Sequence, residues 1–108
     1  MNTPLYKLRF FFDAGSGICF WTANDSAKDK FEDYPVENNK LPIPENLWRR
    51  LNYLCSWYDT CIDWDYPPDP SPWSENEALR FNLEVEETLL QVITKLGSEF
   101  QILNEHHT

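Results

Sequence analysis

Asp59, Asp63, Asp65 and Asp69 are the residues whose type and spacing come closest to chemistry. Their oxygens could hold a hard cation such as Mg²⁺, and paired carboxylates could act on a sugar bond beside stacking tryptophans. A partner motif is missing, because the glycine and terminal Glu of an EF-hand loop do not fall at the required offsets. Cys19, Cys55 and Cys61 could act as nucleophiles only beside a base, yet the two histidines, His106 and His107, stand at the very end of the chain. That pair reads as a frayed end rather than as metal ligands, and no Cys/His spacing suits zinc. The glycines at 15 and 17 precede a β-rich run, so they read as turn chemistry and not as a phosphate cradle. No catalytic residue, metal or cofactor is expected, and the chain reads as non-enzymatic. A divalent-cation enzyme built on the four aspartates is the alternative.

The same acids make more sense as a recognition surface. The chain has 108 residues and a formal charge of −9, which argues against direct binding of nucleic acid or anionic lipid and favours cationic partners. Residues 1–50 carry seven basic and seven acidic side chains, whereas residues 51–108 carry two basic and eleven acidic ones. The whole excess therefore lies in the second half. No Lys or Arg occurs between residues 51 and 79, where Asp59, Asp63, Asp65, Asp69, Glu75 and Glu77 stand without local counter-charges. Trp57, Tyr58, Trp64, Tyr66 and Trp73 are interleaved with these acids. Large rigid aromatics supply binding energy while acids steer a basic partner, so Asp59, Asp63, Trp64, Asp65, Tyr66, Asp69, Trp73 and Glu75 are the candidate binding residues.

The elements that must position them follow from periodicity. Residues 5–13 alternate, with Tyr6, Leu8, Phe10 and Phe12 on one face and Lys7 and Arg9 on the other, which predicts a strand that forms a hairpin with residues 18–21. Asn24 or Asp25 can cap a short helix ending near Phe31, and residues 32–44 read as connection. From Glu45, Leu47, Leu51, Leu54, Tyr58 and Ile62 recur at helical spacing, opposite a polar stripe of Asn52, Ser56, Asp59 and Asp63. The proline-dense residues 65–72 should be stiff and PPII-like. Ser74 and Glu77 form a capping box for a long helix that Gly97 stops. Its main stripe is Ala78, Phe81, Val85, Leu89, Val92 and Leu96, with Leu79, Leu83, Leu90 and Ile93 widening it, and residues 99–104 read as a last strand.

These elements give an α+β fold: a small antiparallel or mixed sheet with two main helices on one face, in a single domain over residues 1–108. Three cysteines without a CxxC pair, no secretory leader and no apolar run near ~20 residues indicate a cytoplasmic protein without a membrane segment. The wide apolar side of the long helix leaves a self-associating structural subunit as a further alternative.

Residues 17–27 (GICFWTANDSA), 57–60 (WYDT) and 63–74 (DWDYPPDPSPWS) resemble a family of small acidic bacterial proteins. In size, acidity and cytoplasmic character the chain is also similar to the immunity proteins of bacterial toxin systems, including contact-dependent inhibition. That resemblance implies an inhibitor that binds a cognate toxin domain and carries no catalytic residue across. Joined to the charge pattern, it yields the expectation of an immunity protein that covers the basic channel of a toxin, a nuclease being the case where carboxylates imitate phosphate.

Overall fold

The computed structural model describes residues 4–106, so residues 1–3, His107 and Thr108 lie outside the described residues. Strand β1 (Tyr6–Phe10) pairs antiparallel with β2 (Phe20–Thr22), setting Phe10 opposite Phe20 and Leu8 opposite Thr22. Helix α1 (Asp25–Phe31) follows, capped by Asn24, whose Oδ1 accepts from the Ala27 and Lys7 amides while its Nδ2 donates to the Leu5 carbonyl. One side chain thereby starts the helix and ties it to the first strand.

The connection at residues 32–44 holds more order than expected. Pro35–Val36 forms a two-residue strand, β3, at the sheet edge beside β2, and Asn38–Lys40 forms one 3₁₀ turn. A proline is tolerated there because an edge strand can do without one amide donor. Helices α2 (Glu45–Asp59) and α3 (Glu75–Leu96) come next, and β4 (Phe100–Asn104) returns to pair parallel with β1, giving the order β3-β2-β1-β4. The sheet is mixed, and the fold is α+β.

The inward side of the sheet supplies Leu8, Phe10, Phe12, Phe20 and Val36 to a core completed by Leu47, Leu51 and Leu54 of α2 and by Phe81, Val85, Leu89, Val92 and Leu96 of α3. Each fully buried Leu, Val or Phe contributes about 1.5–3 kcal/mol of transfer free energy. Phe81 is the hub, its ring within 6.0 Å of Phe12, Trp57, Tyr58, Trp73 and His106. His106 is therefore not frayed. Its ring also meets Phe10 and Phe12 edge-on, and Nε2 lies 2.9 Å from Asn82 Oδ1, so packing holds it against α3.

Two readings of the helices need correction. Leu79, Leu83, Leu90 and Ile93 do not widen the buried stripe of α3; they stand in solvent, because the core takes the face centred on Phe81, Val85 and Val92. The Ser74 cap is present, with Ser74 Oγ accepting from the Glu77 amide, but the Glu77 carboxylate accepts from the Trp57 indole at 3.1 Å instead of closing the box. A cross-helix donor has displaced the local one.

Candidate functional site

Residues 60–74 join α2 to α3 and carry most of the candidate binding residues. The helix ends at Asp59 rather than at Ile62, and Thr60 and Cys61 donate back to the Trp57 and Tyr58 carbonyls in a tightened last turn. Asp59 sits where the helix dipole disfavours a carboxylate. It is compensated by the Gly15 amide, which donates to Asp59 Oδ1 at 2.9 Å and so fastens the β1–β2 turn to the end of α2. Gly15 has φ +84°, a region that suits glycine, and the Trp64 ring lies where a β-carbon at that position would make van der Waals contact.

The loop is built on turns and not on the continuous PPII expected from its prolines. Asp63 Oδ1 accepts from the Asp65 and Tyr66 amides, and the Asp69 amide donates to the Tyr66 carbonyl across Pro67 and Pro68. Asx-turn chemistry and a reversal at the proline pair outcompete extension here. Trp64 Nε1 donates to the Asp59 carbonyl at 2.8 Å, yet the side chain is 57% exposed; Tyr66 is 60% exposed. Trp73 behaves differently. Its indole donates to Thr60 Oγ1 at 2.7 Å and its ring packs 5.0 Å from Phe81, closing the loop onto the core, so it is an internal clasp more than an outward anchor.

The eight candidate residues thus divide by what holds them. Asp59, Asp63 and Trp73 are engaged in shaping the loop, whereas Asp65, Tyr66, Asp69 and Glu75 are exposed and Trp64 is both hydrogen-bonded and exposed. Among the described residues the ion pairs are Arg9–Glu105, Arg49–Glu45 and Arg50–Glu84, and none reaches the acids of residues 59–75. Nor do the four aspartates converge: among the described residues no three His, Cys, Asp or Glu side chains gather to hold a metal ion.

Near the loop, burial raises the Tyr58 phenol above its ordinary value, and Cys61, Asp13 and Asp59 add to the effect. Burial likewise raises the Cys61 thiol, with help from Asp59. Both groups stay protonated at neutral pH beside the carboxylates. Deeper in, Cys19 is raised well above its usual range by burial, followed by its contact with the Cys55 thiol, and Cys55 is lowered chiefly by the hydrogen bond from Cys19. Asn38 bridges the two: its Oδ1 lies 3.5 Å from Cys19 Sγ and its Nδ2 lies 3.9 Å from Cys55 Sγ, with Asn52 Oδ1 taking the other N–H at 2.9 Å. Part of the polar stripe of α2 thereby faces protein.

Sequence reasoning missed the contribution of the β1–β2 turn, which brings Asp13 near Tyr58 and Gly15 onto Asp59, the latter a pairing 44 residues apart that no local pattern announces. It also missed an ordered cluster on the outer side of the sheet. There Arg9 Nε donates to Glu105 Oε1 at 2.7 Å and Nη1 donates to Tyr34 Oη, while Phe11 stacks on Trp21 at 4.8 Å. The alternation of residues 5–13 could have flagged Arg9 and Phe11 as neighbours on that face.

No curated protein matches the chain significantly. The family model described as Serratia CdiI immunity protein-like matches residues 7–105, which takes in β1 from Lys7 onward, the other three strands, the three helices and the acidic loop. The chain belongs to that Serratia CdiI immunity protein-like family.

Proposed function

We propose that the chain is a non-enzymatic immunity protein that acts as a single domain in the cytoplasm and neutralises a toxin domain by binding it. The observation that carries the docking site is the combination at residues 64–75: Asp65, Asp69 and Glu75 free of ion pairs among the described residues, next to the exposed Trp64 and Tyr66. Unpaired acids steer a basic surface over distances of about a Debye length, and exposed aromatics gain energy only when a partner covers them. The loop is fastened at Asp59, Asp63 and Trp73, so little ordering entropy is lost on binding. Three free cysteines fit a reducing compartment, and no helix is long and apolar enough to cross a membrane.

The finer reading is a basic toxin domain, with a nuclease as the class whose phosphate-binding groove carboxylates can fill by imitating phosphate. The test is protection of growth when this chain is co-expressed with its cognate toxin domain. Wild type should protect, and a Trp64→Ala/Tyr66→Ala double variant should lose protection while keeping its thermal melt. Undiminished protection by the double variant would move the toxin contact elsewhere.

A further inference from the structure

The long helix α3 has two apolar lines, and only one of them is used by the fold. The inner line holds Phe81, Val85, Leu89, Val92 and Leu96. On the solvent side Leu79, Leu83 and Leu90 are 56–67% exposed and Ile93 is 41% exposed. A single exposed leucine is ordinary, but four along one helix are not scattered singly. Their positions, with Glu86 between them, run 79, 83, 86, 90 and 93, in alternating steps of four and three. At 3.6 residues per turn these five fall within an arc of about 80°. That is the heptad spacing of a helix-pairing seam, with a carboxylate at its central core position.

The ground on both sides of the ridge is recessed. Between α3 and β4 lies a groove of about 310 Å³ lined by Glu86, Leu89, Leu90, Ile93 and Asn104. Between α3 and α2 lies a larger groove, about 700 Å³, that Leu83 shares with Tyr53, Trp57 and Arg80. Leu83 and Leu90 thus stand as knobs beside hollows able to receive the side chains of a second helix.

Charge decides the occupant. The ionisable groups on the seam's own arc and its margins are Glu86, Glu75 and Glu87; the α2 groove beside it is lined by Arg50, Glu84 and Arg80, of which Arg50 pairs with Glu84 and Arg80 sets its guanidinium 6.0 Å from the Trp57 ring. A second copy of this chain, aligned about the seam's midpoint, would set Glu86 against Glu86 in a desolvated position, which like-charge repulsion opposes. A basic amphipathic helix would instead satisfy Glu86 and bury the leucines. We infer that the outer face of α3 is a docking seam for such a helix, carrying apolar residues at heptad spacing and a Lys or Arg opposite Glu86. Apart from Glu75 at its margin, the seam is separate from the exposed loop residues Trp64, Asp65, Tyr66 and Asp69, and it does not depend on which surface meets the toxin.

The test titrates the full chain with two synthetic helical peptides of about three heptads, Leu at the seam positions, differing only in Lys or Glu opposite Glu86 and at the flanking sites. The Lys peptide should bind saturably and the Glu peptide more than about tenfold more weakly. Leu83→Asp/Leu90→Asp should weaken the Lys peptide by more than about tenfold. Glu86→Lys, which disturbs no packing, should reverse the preference between peptides. Sedimentation of wild type should show no association that the Leu90→Asp change abolishes. Binding of neither peptide, equal binding of both, indifference to the seam substitutions, or wild-type self-association through this face would each overturn the inference, and each would leave the acidic-loop reading intact.

Discussion

Two aspartates six residues apart show how one residue type serves two purposes. Asp59 takes a charge-assisted hydrogen bond from the Gly15 amide and joins two elements, whereas Asp65 is exposed and donates only its amide to Asp63. Asp59→Ala should therefore lower the unfolding free energy by about 1–2 kcal/mol, and Asp65→Ala should change it by less than about 0.5 kcal/mol, both read from urea denaturation. Equal effects would contradict the division. Residue type and spacing made the acids visible in the sequence, but which carboxylate is structural depends on a glycine in a distant turn. Buried protonated groups give a second expectation. Cys19 and Tyr58 are raised in the folded chain, both chiefly by burial, from ordinary values of 9.0 and 10.0. In alkali the unfolded chain gives up these protons first, so stability is full below about pH 9 and falls above it. The lowered Cys55 opposes part of this trend. A urea midpoint that declines from about pH 9 upward fits this expectation, and one that stays flat or rises contradicts it.

At the scale of elements, ends were more legible than faces. Asn24, Ser74 and Gly97 mark helix boundaries through chemistry local to the chain, and all three stand where capping rules place them. The two lines of α3 share one 3.6-residue periodicity, and periodicity alone cannot say that the sheet and α2 cover the Phe81 line and leave Leu79, Leu83, Leu90 and Ile93 in water. The proline-dense connection misled for a related reason, since composition favours extension while the Asp63 carboxylate and the turn at Pro67 and Pro68 redirect it. Phe81 links α3 to Trp57 and Tyr58 of α2 and to Trp73 of the loop. Phe81→Ala should cost about 3–5 kcal/mol and should expose Trp73, seen as a red shift in tryptophan emission. A loss below about 1.5 kcal/mol with unchanged emission would mean the aromatic cluster does not hold the loop.

At the scale of the whole molecule, the α+β class followed from three strand-like runs and two long amphipathic helices, but the strand order did not. The parallel pairing of β4 with β1 joins residues more than ninety positions apart, Tyr6 with Phe100, and local patterns carry no signal of it. The charge asymmetry did carry through to three dimensions: the amino-terminal Arg9, Arg49 and Arg50 pair with Glu105, Glu45 and Glu84, leaving the loop acids unneutralised by them. Under the proposed function, that field is what steers the toxin domain onto the loop. The most direct measurement is stopped-flow association of the chain with its toxin domain over a range of salt concentrations. Wild type should associate quickly and slow steeply with salt, and an Asp65→Lys/Asp69→Lys/Glu75→Lys variant with an unchanged melt should associate more than about tenfold more slowly at low salt, with a flattened salt dependence. Identical rates and identical salt dependence for the two proteins would contradict the account.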